Sequence, residues 1–326
     1  MPDRVLKPWP LTPVPHLVAD LGGTNTRVAL ADAGVLRQGS IRRFANAQHA
    51  SLTEVLRTYL AQTATTDCGG VCVAVAGPVA DGRARMTNLD WEITAADLAA
   101  LCGTDTVVIL NDLQAQGHAL GDLDPRHMTT LLPGVPAPHG ATRLVVGAGT
   151  GFNAAPVFAL PSGLFVPPSE TGHIHLPHHG ETEGALARHL AKHHGIATVE
   201  EALCGRGLVA LHHWISGVEL DAADLMAAMA NNEPQAQESG ALYASLMGRL
   251  LASLALVHLP FGGIYLIGGV ARAMAPHLIE LGMADSFLQM GRFSDMMPKF
   301  PVHVVEDDYA ALLGCAHHLA AHPIFA

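Results

Sequence analysis

This 326-residue sequence predicts an α/β protein of about two domains, organised around a duplicated strand-turn-strand unit. Three observations carry that expectation. At roughly 150 residues per domain the length allows about two, and 49% hydrophobic with 14% charged residues supplies ample core. Strand-like and helix-like runs alternate through the first half, which is the α/β pattern. The stretches LVADLGGTNTRVAL (17–30) and LVVGAGTGFNAAPV (144–157) share one grammar: each begins Leu-Val and reaches a glycine five residues later, at Gly22 and Gly149.

Each of those stretches reads as two β-rich runs joined by a turn with little side chain. Between them the pattern predicts a helix around 51–62, a strand over 71–79, a polar loop through Asn88 and Trp91, a helix over 94–101 and a strand ending at Asp112. The second half is mostly helical, with strands expected at 264–270 and 301–307. A final apolar helix over about 309–319 is expected to dock back on the first domain. The most membrane-like segment, 251–271, is interrupted by His258, Pro260, Gly262 and Gly263 and reads as buried helix, turn and buried strand, so no membrane span is expected. Pro8, Pro10, Pro13 and Pro15 break the N-terminus, which lacks the apolar run of a signal peptide and reads as an extended tail over 1–15.

Composition narrows the function. Eighteen Lys plus Arg against 29 Asp plus Glu give a net charge of −11, which repels phosphate backbones and anionic lipid. A small-molecule enzyme is expected, with neither nucleic-acid nor membrane partners. None of the three lysines (Lys7, Lys192, Lys299) follows a glycine, so no lysine-bearing phosphate loop can be written. Five cysteines without a C-x-x-C pair suggest reduced thiols and a cytoplasmic location.

Several motifs carry chemistry. Glycine turns let backbone N–H groups approach an anion, and two of them could hold a polyphosphate without lysine; an ordinary tight turn is the plainer alternative. Asp20 stands where the second copy has Gly147, so one carboxylate would lie near the phosphates, able to orient Mg²⁺ through water. Gly268 and Gly269 end a buried strand where a helix opens, an arrangement that suits a nucleotide or a simple strand-to-helix turn. Asn111 and Asp112, between a strand and a helix, suit N-capping or a ligand crevice in which a carboxylate accepts a proton from a hydroxyl. SETGHIHLPHH (169–179) could be a metal site, a solvated loop or a polar ligand-binding loop. Glu200 and Glu201 precede a glycine turn and could equally be exposed helix residues.

Taken together, these motifs resemble the bacterial glucokinase family of the actin-like ATPase and hexokinase superfamily, the branch without the zinc motif. DLGGTN (20–25) resembles the first phosphate motif, GAGTG (147–151) the second and IGGV (267–270) the adenosine motif. MTNLDW (86–91) resembles a sugar-side loop, LND (110–112) the catalytic segment, SETGH (169–173) the Glu-x-Gly-His sugar motif and EEALCGRGL (200–208) a further sugar contact. The sequence departs from the pattern at Phe152-Asn153, where the family favours a small apolar residue and glycine, and at Leu89-Asp90.

The resemblance implies a two-domain actin-like (ribonuclease H-like) fold with a duplicated core and a cleft between domains. A small α/β domain would span 16–122 plus about 305–326, and a large α+β domain 123–304. It implies ATP-dependent phosphorylation of D-glucose at the 6-hydroxyl, with Mg²⁺ and as a possible homodimer. Asp112 would be the catalytic base, and Asn88, Asn111, Asp112, Glu170, His173 and Glu200 would bind the sugar. Asp20, Gly22, Gly23, Thr24, Asn25, Gly147, Gly149, Thr150, Gly151, Gly268 and Gly269 would hold the nucleotide. A kinase for another hexose or an amino sugar, and a non-catalytic sugar-binding regulator, are the alternatives.

Overall fold

The computed structural model describes residues 14–86 and 89–321. The chain divides into two compact units, residues 14–120 with 309–321, and residues 121–308.

In the first unit the order is β1 (His16–Leu21), β2 (Asn25–Asp32), β3 (Val35–Leu36), β4 (Arg42–Ala45), α1 (Leu52–Gln62), β5 (Gly70–Val75), β6 (Val79–Ala80), β7 (Arg83–Arg85), β8 (Glu92–Thr94), α2 (Ala95–Cys102), β9 (Val107–Asn111) and α3 (Asp112–Ala119). The main sheet runs β3-β2-β1-β5-β9, with β4 also on β2. β1 and β2 are antiparallel, whereas β1, β5 and β9 are parallel. Side chains alternate across this sheet with the period of two that a strand imposes. Leu17, Ala19 and Leu21 of β1, with Val71, Val73 and Val75 of β5, pack on the α1 and α2 side. Val18, Cys72 and Ala74 pack on the opposite side with Ala115 of α3. Burial on both faces explains why β5 reads as an unbroken apolar run.

Local chemistry sets the helix ends. Ser51 accepts the Glu54 N–H at 3.2 Å to cap α1, Glu54 accepts the Ala50 N–H in return, and Gly103 ends α2 in the left-handed conformation. The strand expected over 71–79 stops at Val75 because Gly77 N–H turns back to the Val75 carbonyl. The strand expected to reach Asp112 stops at Asn111, whose side chain caps α3. Asn88 lies outside the described residues.

The second unit contains β10 (Met128–Leu132), β11 (Arg143–Ala148), β12 (Phe152–Leu160), β13 (Gly163–Phe165), α4 (Gly180–His194), α5 (Val199–Leu203), α6 (Gly205–Ser216), α7 (Ala222–Ala230), α8 (Pro234–His258), β14 (Ile264–Ile267), α9 (Gly269–Leu278), α10 (Met283–Leu288) and β15 (Val302–Val305). Its sheet runs β10-β15-β14-β11-β12-β13. Read from β13, this is the order of the first sheet: an antiparallel hairpin continued by two parallel strands, here with β10 added at the edge. The duplication visible in the two hairpin sequences therefore extends to whole sheets.

α8 is 25 residues long and apolar enough to cross a membrane, but 67% of its apolar window is buried inside the protein, as for a core helix. The strand expected over 264–270 ends at Ile267, since Gly268 has φ 110° and α9 opens at Gly269. A Cβ at Gly268 would stand 2.4 Å from the Ala148 carbonyl oxygen, so this junction requires glycine twice over.

The last helix, α11 (Ala310–Ala321), belongs to the first unit and packs on α3, β1 and β5. Gly314 is its point of closest approach, because an added Cβ would lie 1.6 Å from the Ala115 carbonyl oxygen of α3. Gly314→Ala must therefore push α11 off α3, at a cost of about 1–3 kcal/mol or more by the usual scale of overpacking. The denaturation midpoint in urea should fall accordingly, and an unchanged midpoint would show that the contact yields freely.

Candidate active site

In the first unit, the β1–β2 turn holds Gly22, Gly23, Thr24 and Asn25. The Gly22 N–H donates to the Asn25 carbonyl at 3.1 Å and closes the turn. Asn46, a buried residue after β4, braces it from behind. Its Nδ2 donates to the Gly22 carbonyl at 2.7 Å, its backbone N–H donates to the Thr24 carbonyl at 2.9 Å, and its Oδ1 accepts from the Thr26 hydroxyl at 2.7 Å. Motif reading missed Asn46, because nothing in its own neighbourhood of sequence marks a residue that acts 20 to 24 positions away.

Asp20, at the end of β1, shares the strand face of Val18. Its Oδ2 meets Arg27 Nη1 at 3.1 Å across the hairpin. Burial raises the Asp20 pKa, and the charge and hydrogen bond of Arg27 offset part of that rise. A divalent cation would act in the same direction as Arg27, so the donor type fits a water-bridged Mg²⁺.

Asn111 and Asp112 sit at the carboxyl end of β9 and the N-terminus of α3. Asn111 Oδ1 accepts the Leu113 N–H at 3.0 Å, Gln114 returns a capping contact to the Asn111 N–H, and Asn111 Nδ2 donates to the Gly77 carbonyl at 3.1 Å. One amide hydrogen and one lone pair remain in the side chain's capacity, so capping and ligand binding are compatible. Asp112 Oδ1 accepts the Leu113 N–H at 2.9 Å, which orients its carboxylate on the first turn of the helix.

In the second unit, Gly147 lies near the end of β11 and the β11–β12 turn carries Gly149, Thr150 and Gly151. The Gly149 N–H donates to Gly151 O at 2.9 Å, and the N–H of Gly205, first residue of α6, donates to Gly149 O at 2.8 Å. Beside this turn is a cavity of about 470 Å³ lined by Gly149, Thr150, Leu208, Met226, Gly269 and Ala273 among others. The first turns of α6, α7 and α9 all border it. Small and aliphatic walls suit a flat base and a ribose, while helix N-termini and glycine N–H groups suit the phosphates that follow. These residues fit ATP.

The same unit brings together three of the expected sugar contacts. Glu200 Oε2 accepts the Phe152 N–H at 2.8 Å, and Glu200 Oε1 accepts from Arg206 Nη2 at 2.7 Å. Burial alone would raise the Glu200 pKa, but the Arg206 and Phe152 hydrogen bonds and the Arg206 and His173 charges outweigh it, leaving it below the ordinary value. Glu201 instead bonds Arg206 at 3.2 Å and lies 3.6 Å from His194 Nε2. His173 Nε2 is 3.9 Å from Glu170 Oε2, and both side chains are 65% exposed, as expected of groups that present themselves to a soluble ligand. Arg206, also unmarked by motif reading, joins both acids to the turn through a 3.4 Å contact with Thr150 O. Among the described residues no group of three or more His, Cys, Asp or Glu side chains could hold a metal ion, so the histidines after Gly172 form no such centre.

Two sheets of one topology, each opened by a glycine-turn hairpin, form the duplicated core of the actin-like class. The glucokinase family model matches residues 17–322. A glucokinase of Stenotrophomonas maltophilia is 33% identical over 94% of this chain and 95% of its own length, and one of Mesorhizobium japonicum is 31% identical over 93% and 90%. The solved glucokinase of an Antarctic psychrotroph superposes with a TM-score of 0.85 at 28% identity, covering 95% of this chain and all of that one. A ROK-family glucokinase of Streptomyces griseus, solved with glucose and AMPPNP, shares the fold at 20% identity and a TM-score of 0.61, covering 93% of this chain and 98% of that one. The chain belongs to the glucokinase family.

Replacing Arg206 by Met removes the main influence that holds the Glu200 carboxylate down and leaves desolvation to dominate. A carboxylate with a depressed folded-state pKa contributes stability above its unfolded value and loses it as pH falls through the folded one. In Arg206→Met that protection disappears, so the acid limb of the kcat/KM profile for glucose should move to higher pH. An unshifted acid limb would show that Arg206 does not set the charge of Glu200.

Proposed function

We propose that the protein transfers the γ-phosphoryl group of ATP to the 6-hydroxyl of D-glucose, giving glucose 6-phosphate and ADP. The observation that carries this reading is the meeting, in one unit, of a side-chain-poor cavity at three helix N-termini with Glu170, His173 and Glu200. Sugar hydroxyls both donate and accept, so Glu170, His173 and Glu200, with Asn111 and Asn88, engage several through charge-assisted bonds. An epimer that misplaces one hydroxyl leaves a partner unsatisfied, which is the source of selectivity among hexoses.

Asp112 accepts the proton of the 6-hydroxyl as that oxygen bonds to the γ-phosphorus and the bond from phosphorus to the β-γ bridging oxygen breaks. A strong base is not needed there, because the transition state is loose and the proton leaves late. The β1–β2 and β11–β12 turns present backbone N–H groups to the phosphates. Mg²⁺, oriented through water by Asp20, would neutralise charge on the β- and γ-phosphates. The acidic charge and reduced thiols support a cytoplasmic enzyme without nucleic-acid or membrane partners, and the family resemblance supports a homodimer.

A coupled assay with ATP and Mg²⁺ should show ADP release that depends on glucose and exceeds the rates with mannose, fructose and glucosamine. Sugar-independent release, or faster turnover of another hexose, would overturn the assignment. Asp112→Asn should lower kcat by about 10²–10⁴ while glucose still binds, the usual worth of general-base help. Near-wild-type turnover in the purified variant would remove Asp112 from that role. Ala273→Phe, which fills the cavity, should raise KM for ATP more than KM for glucose; an unchanged KM for ATP would place the cavity outside the nucleotide site.

A further inference from the structure

Asn153 stands on β12 opposite Gly147, the position that Arg27 occupies opposite Asp20 in the first hairpin. Its side-chain amide reaches across to the loop that carries Glu170. Nδ2 donates to the carbonyl oxygen of Ser169 at 2.5 Å, and Oδ1 accepts the N–H of Thr171 at 2.9 Å. One planar group thereby grips the peptide units on both sides of Glu170. Oδ1 also accepts the N–H of Ala154 at 2.8 Å, which fixes the amide itself to its strand. Thr171 Oγ1 adds a bond to the Ala154 carbonyl at 2.9 Å and pairs with Ser169 Oγ at 2.8 Å, so the loop is laced to β12 at successive points.

Glu170 has φ −129° and ψ 48°, outside the regular strand and helix regions, and its own carbonyl accepts the His173 N–H at 3.0 Å to open a single 3-10 turn. Its side chain is largely exposed, so packing does not orient the carboxylate. The clasp on the flanking peptide groups sets the point and direction from which the side chain leaves the backbone, because fixing Ser169 O and Thr171 N–H fixes the Cα–Cβ bond between them.

The geometry points to Asn153 as a positioning residue that presents Glu170 to the sugar, and so as a determinant of hexose affinity. This rests on the reading that Glu170 binds a sugar hydroxyl. The neighbouring contact of the same strand, Phe152 N–H to Glu200, sets a second sugar-side acid, so β12 orients two carboxylates through adjacent residues.

Asn153→Ala, Glu170→Gln and the double variant separate the proposal from the reading beneath it. Thermal unfolding and KM for ATP report the integrity of the fold and of the nucleotide site. If Asn153 acts through Glu170, Asn153→Ala raises KM for glucose about tenfold with KM for ATP changed less than about twofold. In the Glu170→Gln background the same substitution adds less than about twofold. Asn153→Asp preserves the volume while turning the donor facing Ser169 O into an acceptor, and gives the same split if the alanine variant does not fold. The proposal is overturned if folded Asn153 variants keep KM for glucose within about twofold of wild type while Glu170→Gln raises it. Fully additive effects in the double variant overturn it as well. If Glu170→Gln itself leaves KM for glucose unchanged, the sugar-binding role of Glu170 fails and the proposal falls with it.

Discussion

In the function proposed here, polyphosphate recognition rests on backbone N–H groups held in place, since no lysine follows a glycine anywhere in the sequence. A turn that donates to an anion from its backbone has to keep those groups pointing outward when the anion is absent. Each hairpin meets the requirement with bonds from outside the turn. Asn46 braces the first through Gly22 O, Thr24 O and Thr26. The second is held by the Gly205 N–H on Gly149 O and by Arg206 on Thr150 O, while Glu200 takes the Phe152 N–H. Carbonyls are thus tied down, and once the Gly22 and Gly149 N–H groups have closed their own turns the other N–H groups of the turns are left for a ligand.

That economy couples the nucleotide side of the second unit to its sugar side. α6 contributes Gly205 and Leu208 to the cavity and Arg206 to the acids, so one short sequence serves both. β12 likewise begins at the glycine turn and continues through Phe152 and Asn153, which anchor Glu200 and the Glu170 loop. Charge follows the same plan. Asp20 is largely removed from water, its desolvation only partly offset by Arg27, a state that favours an additional cation, whereas Glu200 is kept ionised by Arg206 and His173.

Much of this was legible in the sequence, because its signals are local. Paired Leu-Val-to-glycine stretches announced the duplication, and the sheets carry it further: β3-β2-β1-β5-β9 and β13-β12-β11-β14-β15 share order and direction. Element ends were less legible where a glycine or a cap overrode an apolar run, as at Gly77, Asn111 and Gly268. Asn46, Asn153 and Arg206 escaped motif reading for a different reason. Their partners lie as far as 24, 18 and 56 positions away, and isolated polar residues carry no mark of which distant carbonyl they will meet. Asn153 stood out in the sequence only as a departure from the family pattern; its function as a clasp becomes visible once β12 and the 169–171 loop are side by side.

The central claim is that glycine-turn N–H groups and three helix N-termini, rather than cationic side chains, hold the nucleotide. A crystal structure with glucose and a nonhydrolysable ATP analogue tests it most directly. The account predicts the base between Leu208, Met226 and Ala273, with phosphate oxygens about 3 Å from the backbone nitrogens of Thr150 and Gly151. A nucleotide bound elsewhere, or phosphates held only by arginine side chains while that turn stays empty, would contradict it.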